Sequence, residues 1–265
     1  MQRRSGHVVI ESIAAESPKF IASLVFIHGL WCTAAVWRRF MGFFAHRGWT
    51  SYALTLRGHT ADADARTLGA VRFADHLSDI GDVLAACATP AVLVGHDLGG
   101  LLALASAPAA RAVVALAPLV PHRLASAGRP RVSSWRARLA MARARPLPAP
   151  RGKAGRLCFG VAPPGGTIMD SSAVARELES GAITVPTCGR VPTLVLAGAT
   201  DQLAPPSDVE RLAVQVGARF RCVNGASHAM PWEPGWEQRV AEIHRWLIQT
   251  LGDELLLPRA EDDEE

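Results

Sequence analysis

The sequence lacks the marks of a secreted, membrane-bound or metal-binding protein. Its 265 residues include only five cysteines, which are widely spaced and form no CxxC pair. This odd, scattered set argues against a disulfide framework and favours a reducing compartment. Residues 1–7 contain two arginines, but no apolar run follows them, and no segment is long and apolar enough for a membrane span. We therefore predict a cytoplasmic protein without a signal peptide or membrane contact.

Charge is unevenly placed, although the formal net charge is only +4. No acidic residue occurs between Arg123 and Arg156, whereas residues 261–265 are all acidic. A solvated basic surface and an acidic tail are the plain interpretation, and attraction of an anionic or carrier-bound small-molecule substrate is the alternative. The opposed blocks and the lack of a recognition motif argue against a nucleic-acid partner. No metal-ligand cluster or phosphate loop is visible, so we predict no cofactor and no metal.

Short apolar runs alternate with helical segments along most of the chain. The runs at 23–27, 91–94 and 112–116 are typical of buried strands, and the segments 71–87 and 236–251 have helical periodicity. This alternation predicts an α/β protein with a doubly wound, mostly parallel sheet.

The alternation is interrupted between residues 120 and 190. This stretch is dense in Pro, Gly and Arg and has helical pieces at 134–145 and 171–180. We interpret it as a small cap in which Trp135, Leu139 and Met141 form an apolar face, and the alternative is a long disordered loop. The predicted organisation is a core of residues 1–119 and 191–252, a cap of residues 120–190, and a flexible acidic tail of residues 253–265.

The segment Gly95-His96-Asp97-Leu98-Gly99 carries the strongest chemical signal. It follows the apolar run at 91–94 and precedes a helix of small residues, which is the strand–turn–helix arrangement of a nucleophile elbow. Its glycines suit a sharp turn in which side chains would collide with neighbouring backbone. Asp97 occupies the nucleophile position. A carboxylate is a weak nucleophile toward carbonyl carbon, but it displaces leaving groups from saturated carbon and so forms an alkyl-enzyme ester.

Two further motifs follow the elbow in the order acid, histidine. Asp201 ends a strand and turn at 193–201, and His228 lies in the loop Gly225-Ala226-Ser227-His228. Together with the elbow, these motifs resemble the α/β-hydrolase family, and the resemblance covers nearly all of the chain outside the cap. It implies the α/β-hydrolase fold, with Asp97 as the nucleophile, His228 as the base that activates water, and Asp201 as the acid that orients His228.

The resemblance also implies an oxyanion hole. His28-Gly29 follows the strand at 23–27, and in the family the next backbone N–H joins the N–H after the nucleophile. Here these groups belong to Leu30, or Trp31, and to Leu98. The second step of an alkyl-ester mechanism needs this hole, because water then attacks the ester carbonyl.

Two members of the proposed triad have alternative interpretations. Asp97 would have no catalytic role in an inactive elbow or as an engineered replacement of Ser. Asp201 would serve as the N-cap of the helix near Pro206, and Asp208 competes for the role of the acid.

Within the family, an aspartate nucleophile is typical of epoxide hydrolases and of haloalkane and fluoroacetate dehalogenases. The chain departs from all three. Tyr52 is its only tyrosine, so the two cap tyrosines of epoxide hydrolases are missing, and Leu98 stands where the dehalogenases carry Trp or Arg. Trp31, His122 and Trp135 are candidate substrate-binding donors in their place.

The favoured function is hydrolysis of an epoxide, for example in a specialised metabolite, through an Asp97 ester that His228-activated water hydrolyses. Dehalogenation by the same mechanism is second, and ester or lactone hydrolysis with Asp97 as a general base is third. A non-covalent cyclase or lyase and a silent binding protein are the other classes. The overall spacing and the segment Asp170-Ser171-Ser172 resemble those of small bacterial hydrolases that carry Ser in the elbow, and a lineage in which Asp replaced Ser is our hypothesis.

Overall fold

The computed structural model describes residues 1–60, 64–126 and 135–256. The strands are β1 (Gln2–Ser5), β2 (Val8–Ile13), β3 (Leu24–Ile27), β4 (Ser51–Thr55), β5 (Val92–His96), β6 (Ala112–Leu116), β7 (Thr193–Gly198) and β8 (Arg219–Val223). The helices are α1 (Arg38–Ala45), α2 (Ala65–Leu68), α3 (Phe73–Ala85), α4 (Leu98–Ala105), α5 (Trp135–Ala142), α6 (Gly152–Phe159), α7 (Ser172–Ser180), α8 (Pro206–Val216) and α9 (Trp236–Leu251).

The eight strands form one sheet in the order β1-β2-β4-β3-β5-β6-β7-β8. β2 pairs antiparallel with β1 and β4, and the pairs from β4 through β8 are parallel. The predicted α/β architecture with a mostly parallel, doubly wound sheet is thus confirmed. Because the parallel strands all end at one edge, the loops after β3, β5, β7 and β8 meet there.

Alternate residues of each central strand enter two separate cores. In β5, Leu93 belongs to the core that includes residues of α3, α4 and α8, whereas Val92 and Val94 belong to the core that includes residues of α1 and α9. Both faces of the strand are therefore covered, which explains why it is a continuous apolar run and does not alternate with polar residues.

The amino terminus forms two strands, of which the first was not predicted. β1 and β2 form a tight hairpin in which Ser5 pairs with Val8 across Gly6 and His7. Gly6 has φ +54°, a conformation that glycine adopts without a steric penalty and that such short hairpin turns require. β1 was missed because its residues are polar and exposed.

The segment predicted as the cap, residues 120–190, contains α5, α6 and α7 between β6 and β7. α7 packs against α5 and α3, and Leu147 pairs with Asp170 in an antiparallel bridge. The predicted apolar face of α5 is only partly present, since Met141 is buried but Leu139 is exposed. α6 was not predicted, because its glycines and basic residues conceal the apolar Cys158 and Phe159.

The carboxyl end of the described chain continues past α9 into a short 3-10 helix, Gly252–Leu255. Leu255 is buried, and Leu256 pairs with Phe20 in a bridge. Residues 257–265 of the predicted tail lie outside the described residues. In the part of the chain that the structure describes, no helix combines the length and the apolar character needed to cross a membrane.

Two glycine substitutions test the packing of the elbow. A Cβ atom at Gly99 would lie 2.1 Å from the Ile27 carbonyl oxygen, whereas a Cβ at Gly42 of α1 meets no atom within 4 Å. We expect Gly99→Ala to lower the free energy of unfolding by about 3 kcal/mol or more through backbone overpacking. Gly42→Ala should raise it by about 0.5–1 kcal/mol, because alanine favours a helix interior. Urea denaturation of both variants measures this, and equal stabilities would contradict the close approach.

Candidate active site

Asp97 sits on a strained turn between β5 and α4. Its backbone has φ +54° and ψ −119°, which is rare for a residue with a side chain. A Cβ at Gly95 would lie 2.0 Å from the Gly99 carbonyl oxygen, so the turn closes only with glycine there. Backbone strain of this kind persists where the surrounding structure holds a functional side chain in place.

The carboxylate of Asp97 lies against the loop that follows β3. The Leu30 backbone N–H donates a hydrogen bond of 2.8 Å to its Oδ2 atom. A Cβ at Gly29 would be 2.7 Å from the same oxygen, so glycine is needed for this approach. Leu98 is the first residue of α4, and its N–H belongs to the turn whose N–H groups have no partner within the helix. The two backbone groups predicted for an oxyanion hole thus flank Asp97.

His228 lies between two carboxylates. Its Nδ1 is 2.8 Å from Oδ2 of Asp201, and its Nε2 is 3.4 Å from Oδ1 of Asp97. Oδ1 of Asp201 accepts the backbone N–H groups of Leu203 and Ala204, at 2.8 and 3.0 Å. The three residues predicted as a triad are therefore brought together, with Asp201 fixed from both sides.

Asp208, the competing acid, lies elsewhere. It is buried at the start of α8 and accepts hydrogen bonds from Ser126 and Arg211. The structure therefore places Asp201, and not Asp208, beside the histidine.

The charges around His228 favour its protonated form. Burial works against a charged imidazole, but the carboxylates of Asp201 and Asp97 outweigh it and raise the pKa of His228 to about 10. Burial likewise works against the charge of Asp201, yet His228 and two backbone N–H groups lower the pKa of that carboxyl. His228 is therefore an imidazolium at neutral pH.

Two residues that the sequence analysis did not predict for this role bind the loop after β8, which carries His228. Nε2 of His96 donates to the His228 carbonyl oxygen at 2.7 Å, and burial, with the nearby charge of His228, lowers the pKa of His96 to about 4. Glu233 accepts the Ser227 backbone N–H at 2.9 Å and also bonds the Ser227 hydroxyl. Their roles could not be predicted, because both contacts depend on how the loop after β8 folds back.

A cavity of about 180 Å³ opens onto Asp97 and His228. Most of its wall is apolar, and two cysteines, Cys32 and Cys158, contribute to it as well. Burial and the nearby carboxylate of Asp97 raise the pKa of both cysteines, so they remain protonated. The lining consists of Leu30, Trp31, Cys32, His96, Asp97, Leu119, Cys158, Phe159, Leu178, Leu203, His228 and Trp232.

The three predicted substrate-binding donors are placed differently from one another. Trp31 lines the cavity, but its indole N–H donates to the Leu147 carbonyl oxygen at 3.3 Å. His122 is exposed in a 3-10 helix and does not belong to the cavity wall. Trp135 begins α5, and its side chain lies outside the part that the structure describes. The indole of Trp232, which was not predicted, is also engaged, since it donates to the Phe159 carbonyl oxygen at 3.0 Å.

Comparison with known proteins agrees with this architecture. Residues 24–243 match the model of the alpha/beta hydrolase family, and the chain therefore belongs to that family. No curated protein sequence gave a significant match. Within the described ranges, no group of three His, Cys, Asp or Glu side chains is arranged to hold a metal ion.

Solved structures similar to this chain include several lipolytic enzymes. The monoacylglycerol lipase of Paleococcus ferrophilus is 20% identical, with a TM-score of 0.71 over 91% of this chain and 98% of its own. A soluble variant of the monoglyceride lipase of Saccharomyces cerevisiae is 15% identical, with a TM-score of 0.70 over 94% of each chain. The thioesterase domain from the curacin biosynthetic pathway is 18% identical, with a TM-score of 0.63 over 92% of this chain and 98% of its own. At these identities the likeness shows the fold.

The charge state of His228 makes a prediction about stability. A histidine whose folded pKa is about 10 stabilises the fold fully below its unfolded pKa near 6.5 and loses that contribution as the pH rises toward 10. The stability advantage of the wild type over His228→Gln should therefore shrink between pH 7 and 10, by at most about 1.4 kcal/mol per pH unit. Urea denaturation across this range measures the difference. A difference that stays constant would mean that His228 is neutral in the folded protein.

Proposed function

We propose that this protein is a hydrolase that opens an epoxide through an alkyl ester on Asp97. The observation that carries the proposal is the 2.8 Å hydrogen bond from the Leu30 N–H to Oδ2 of Asp97. The oxyanion donor already holds one carboxylate oxygen, and the other is left to attack. When Oδ1 is alkylated, Oδ2 becomes the ester carbonyl oxygen and lies where charge develops during hydrolysis. A substrate carbonyl, by contrast, would have to displace Oδ2 from Leu30.

The first step is a displacement at saturated carbon. Oδ1 of Asp97 forms a bond to an epoxide carbon, the ring carbon–oxygen bond breaks, and the ring oxygen takes a proton. The imidazolium of His228 and the thiols of Cys32 and Cys158 are the proton donors facing this space. A departing halide needs N–H donors instead, and the indole N–H groups of Trp31 and Trp232 are both bound to backbone carbonyls. This difference favours an epoxide over an alkyl halide.

Ester formation also prepares the second step. Alkylation removes the negative charge of Asp97, one of the two charges that raise the pKa of His228. Once its proton has gone to the ring oxygen, the imidazole is neutral, and it then accepts a proton from the water that attacks the ester carbonyl carbon. Collapse of the intermediate releases the product hydroxyl with an oxygen from Asp97 and leaves the oxygen of water on the carboxylate.

The cavity indicates a small substrate that is apolar around the reacting carbon. Its volume of about 180 Å³ is below the usual range for ligand pockets, and Leu119, Phe159 and Leu178 contribute to its wall. The described arginines of the predicted cap do not line it: Arg123, Arg138 and Arg143, for example, are exposed. An anionic or carrier-bound substrate would thus meet these arginines outside the cavity.

Hydrolysis of an ester or thioester is a second candidate, and the similar structures favour it. Lipases and a thioesterase share the fold over more than nine-tenths of this chain. In this mechanism Asp97 would act as a general base toward water, and the substrate carbonyl would need the Leu98 N–H or a vacated Leu30 N–H.

Trapping of the ester tests the first candidate. We expect His228→Gln to form the Asp97 ester with a reactive epoxide but to hydrolyse it very slowly, since no base activates water. Intact-protein mass spectrometry across a panel of epoxides and alkyl halides should show a gain equal to the whole epoxide, whereas a halide would add only its alkyl group. The control is Asp97→Ala in the same background. An adduct that persists in this control would lie on another residue, and no adduct with a folded protein would sink the proposal.

Isotope labelling separates the two candidates in the wild-type protein. A single turnover in H₂¹⁸O should place ¹⁸O in the Asp97 carboxylate and none in a diol product, because the transferred oxygen comes from Asp97. General-base hydrolysis of an ester would instead place ¹⁸O in the released acid and leave Asp97 unlabelled. Peptide mass spectrometry of the elbow segment and analysis of the product distinguish these outcomes.

A further inference from the structure

Asp170 is a fully buried carboxylate outside the triad. Its Oδ2 accepts the Trp31 backbone N–H at 2.6 Å and lies 2.9 Å from Nε2 of His59, and its Oδ1 accepts the Ser171 backbone N–H at 2.6 Å. A buried carboxylate is costly unless donors satisfy it, and here each oxygen faces at least one. Because Asp170 lies between β6 and β7, it joins the predicted cap segment to the loop after β3.

That loop makes a four-residue turn with an unusual residue in it. The Cys32 N–H donates to the Gly29 carbonyl oxygen at 3.4 Å, and Trp31, the third residue, has φ +59°. A positive φ at this position is the type II pattern, for which glycine is preferred. A bulky side chain there is strained and keeps the conformation only if neighbouring groups hold it. Leu30, which bonds Asp97, is the second residue of the same turn.

Three hydrogen bonds join Trp31 to the segment between β6 and β7. Besides the bond from its N–H to Asp170, its carbonyl oxygen accepts the Ile168 N–H at 3.0 Å, and its indole N–H donates to Leu147. Leu147 in turn pairs with Asp170 through backbone bonds of 2.8 and 2.9 Å. The bond to Asp170 fixes the central peptide of the turn, which is the group that reverses direction between type I and type II turns.

His59 supplies the positive charge that accompanies Asp170. Its Nδ1 lies 3.0 Å from the Arg57 carbonyl oxygen and its Nε2 faces Asp170, so both ring nitrogens face acceptors. Burial works against charge on both residues, but their attraction raises the pKa of His59 and lowers that of Asp170. His28 and His76 lie beside them and stay neutral, since burial and the charge of His59 lower their pKa values to about 3 and 4. The pair is thus one carboxylate and one imidazolium.

We propose that Asp170 is a positioning residue for the oxyanion hole: its carboxylate holds Trp31 in the strained turn and so keeps the Leu30 N–H directed at Asp97. The effect on ester hydrolysis rests on the proposed function, whereas the effect on the direction of the Leu30 N–H does not. Asparagine at position 170 cannot replace aspartate. Both oxygens of the carboxylate accept N–H groups, and the NH₂ group of asparagine would face one of these donors.

Hydrogen exchange tests the geometry without any substrate. In Asp170→Asn we expect the amides of Leu30 and Trp31 to exchange about tenfold faster or more than in the wild type, because a hydrogen bond to a charged group is lost. Mass spectrometry of a peptide covering residues 28–32 measures this. Unchanged exchange in a folded variant would overturn the proposal. Where Asp170→Asn yields no folded protein, Asp170→Glu takes its place: it keeps the charge beside His59 but shifts the oxygens, and the same increase is expected.

Asp208→Asn is the matched control for a merely structural effect. Asp208 is also a fully buried carboxylate that bonds a backbone N–H, that of Ser126, but it lies in the first turn of α8. We expect this variant to lose stability to a similar degree while the exchange at residues 28–32 remains as in the wild type. Equal acceleration in both variants would mean that loss of stability, and not positioning, explains the effect.

Kinetics then tests the consequence for catalysis. With an epoxide that gives an adduct in His228→Gln, Asp170→Asn should slow hydrolysis of the ester about tenfold to a hundredfold, because a misdirected oxyanion donor stabilises less charge. In a Trp31→Gly background the same change should cost much less, since glycine adopts the positive φ without help. Additive effects of the two changes would overturn positioning through Trp31. Absence of any adduct in His228→Gln would count against the proposed function alone and leave the exchange result standing.

Discussion

The hydrogen bond between the Leu30 N–H and the Asp97 carboxylate is the contact on which the rest of the site depends. It requires the loop after β3 and the elbow after β5 to approach until no side chain fits at Gly29. Adjacent parallel strands bring the two loops together, and covering both faces of the sheet with helices fixes the strands. The strained backbone at Asp97 and Trp31 is the local cost of this approach, and the two buried cores supply the rigidity that maintains it.

The ionic groups of the site and its supporting loop form two sets, which differ in whether their charge would change during the proposed reaction. Asp97 and Asp201 both face His228, and the proposed ester formation would remove one of the two charges that raise the pKa of His228. The pair of Asp170 and His59 is balanced and fully buried, so its charge has no reason to change during a reaction. Buried ion pairs of this kind often add little to the stability of the fold. They nevertheless fix the local geometry, because breaking the pair leaves a buried charge without a partner. The first set suits chemistry, and the second suits the support of a loop.

The parts of the molecule that the sequence predicted are those determined locally. The elbow at Asp97, the strand runs and the order of acid and histidine are short patterns with strong steric or periodic causes. The polar strand β1 and the glycine-containing helix α6 have weak local signals and were missed. The contacts of Asp170 with Trp31 and of the Trp31 indole with Leu147 join residues more than a hundred positions apart. No pattern within one segment encodes such contacts. The sequence therefore could not show that the Trp31 indole N–H, expected to bind substrate, donates to a backbone carbonyl oxygen instead.

The close fit between Gly29 and Asp97 also bears on how this scaffold chooses between chemistries. In the proposed mechanism the Leu30 N–H would bind whichever oxygen reaches it, and the side chain at position 97 would decide whether that oxygen belongs to the protein or to its substrate. The carboxylate of aspartate is long enough to accept the Leu30 N–H itself, whereas the shorter side chain of serine would leave that N–H free for a substrate oxygen. The length of one side chain would then separate attack on a saturated carbon from attack on a substrate carbonyl. The sheet, the histidine and its acid would be common to both reactions. Such a fold can change its class of substrate without changing its architecture.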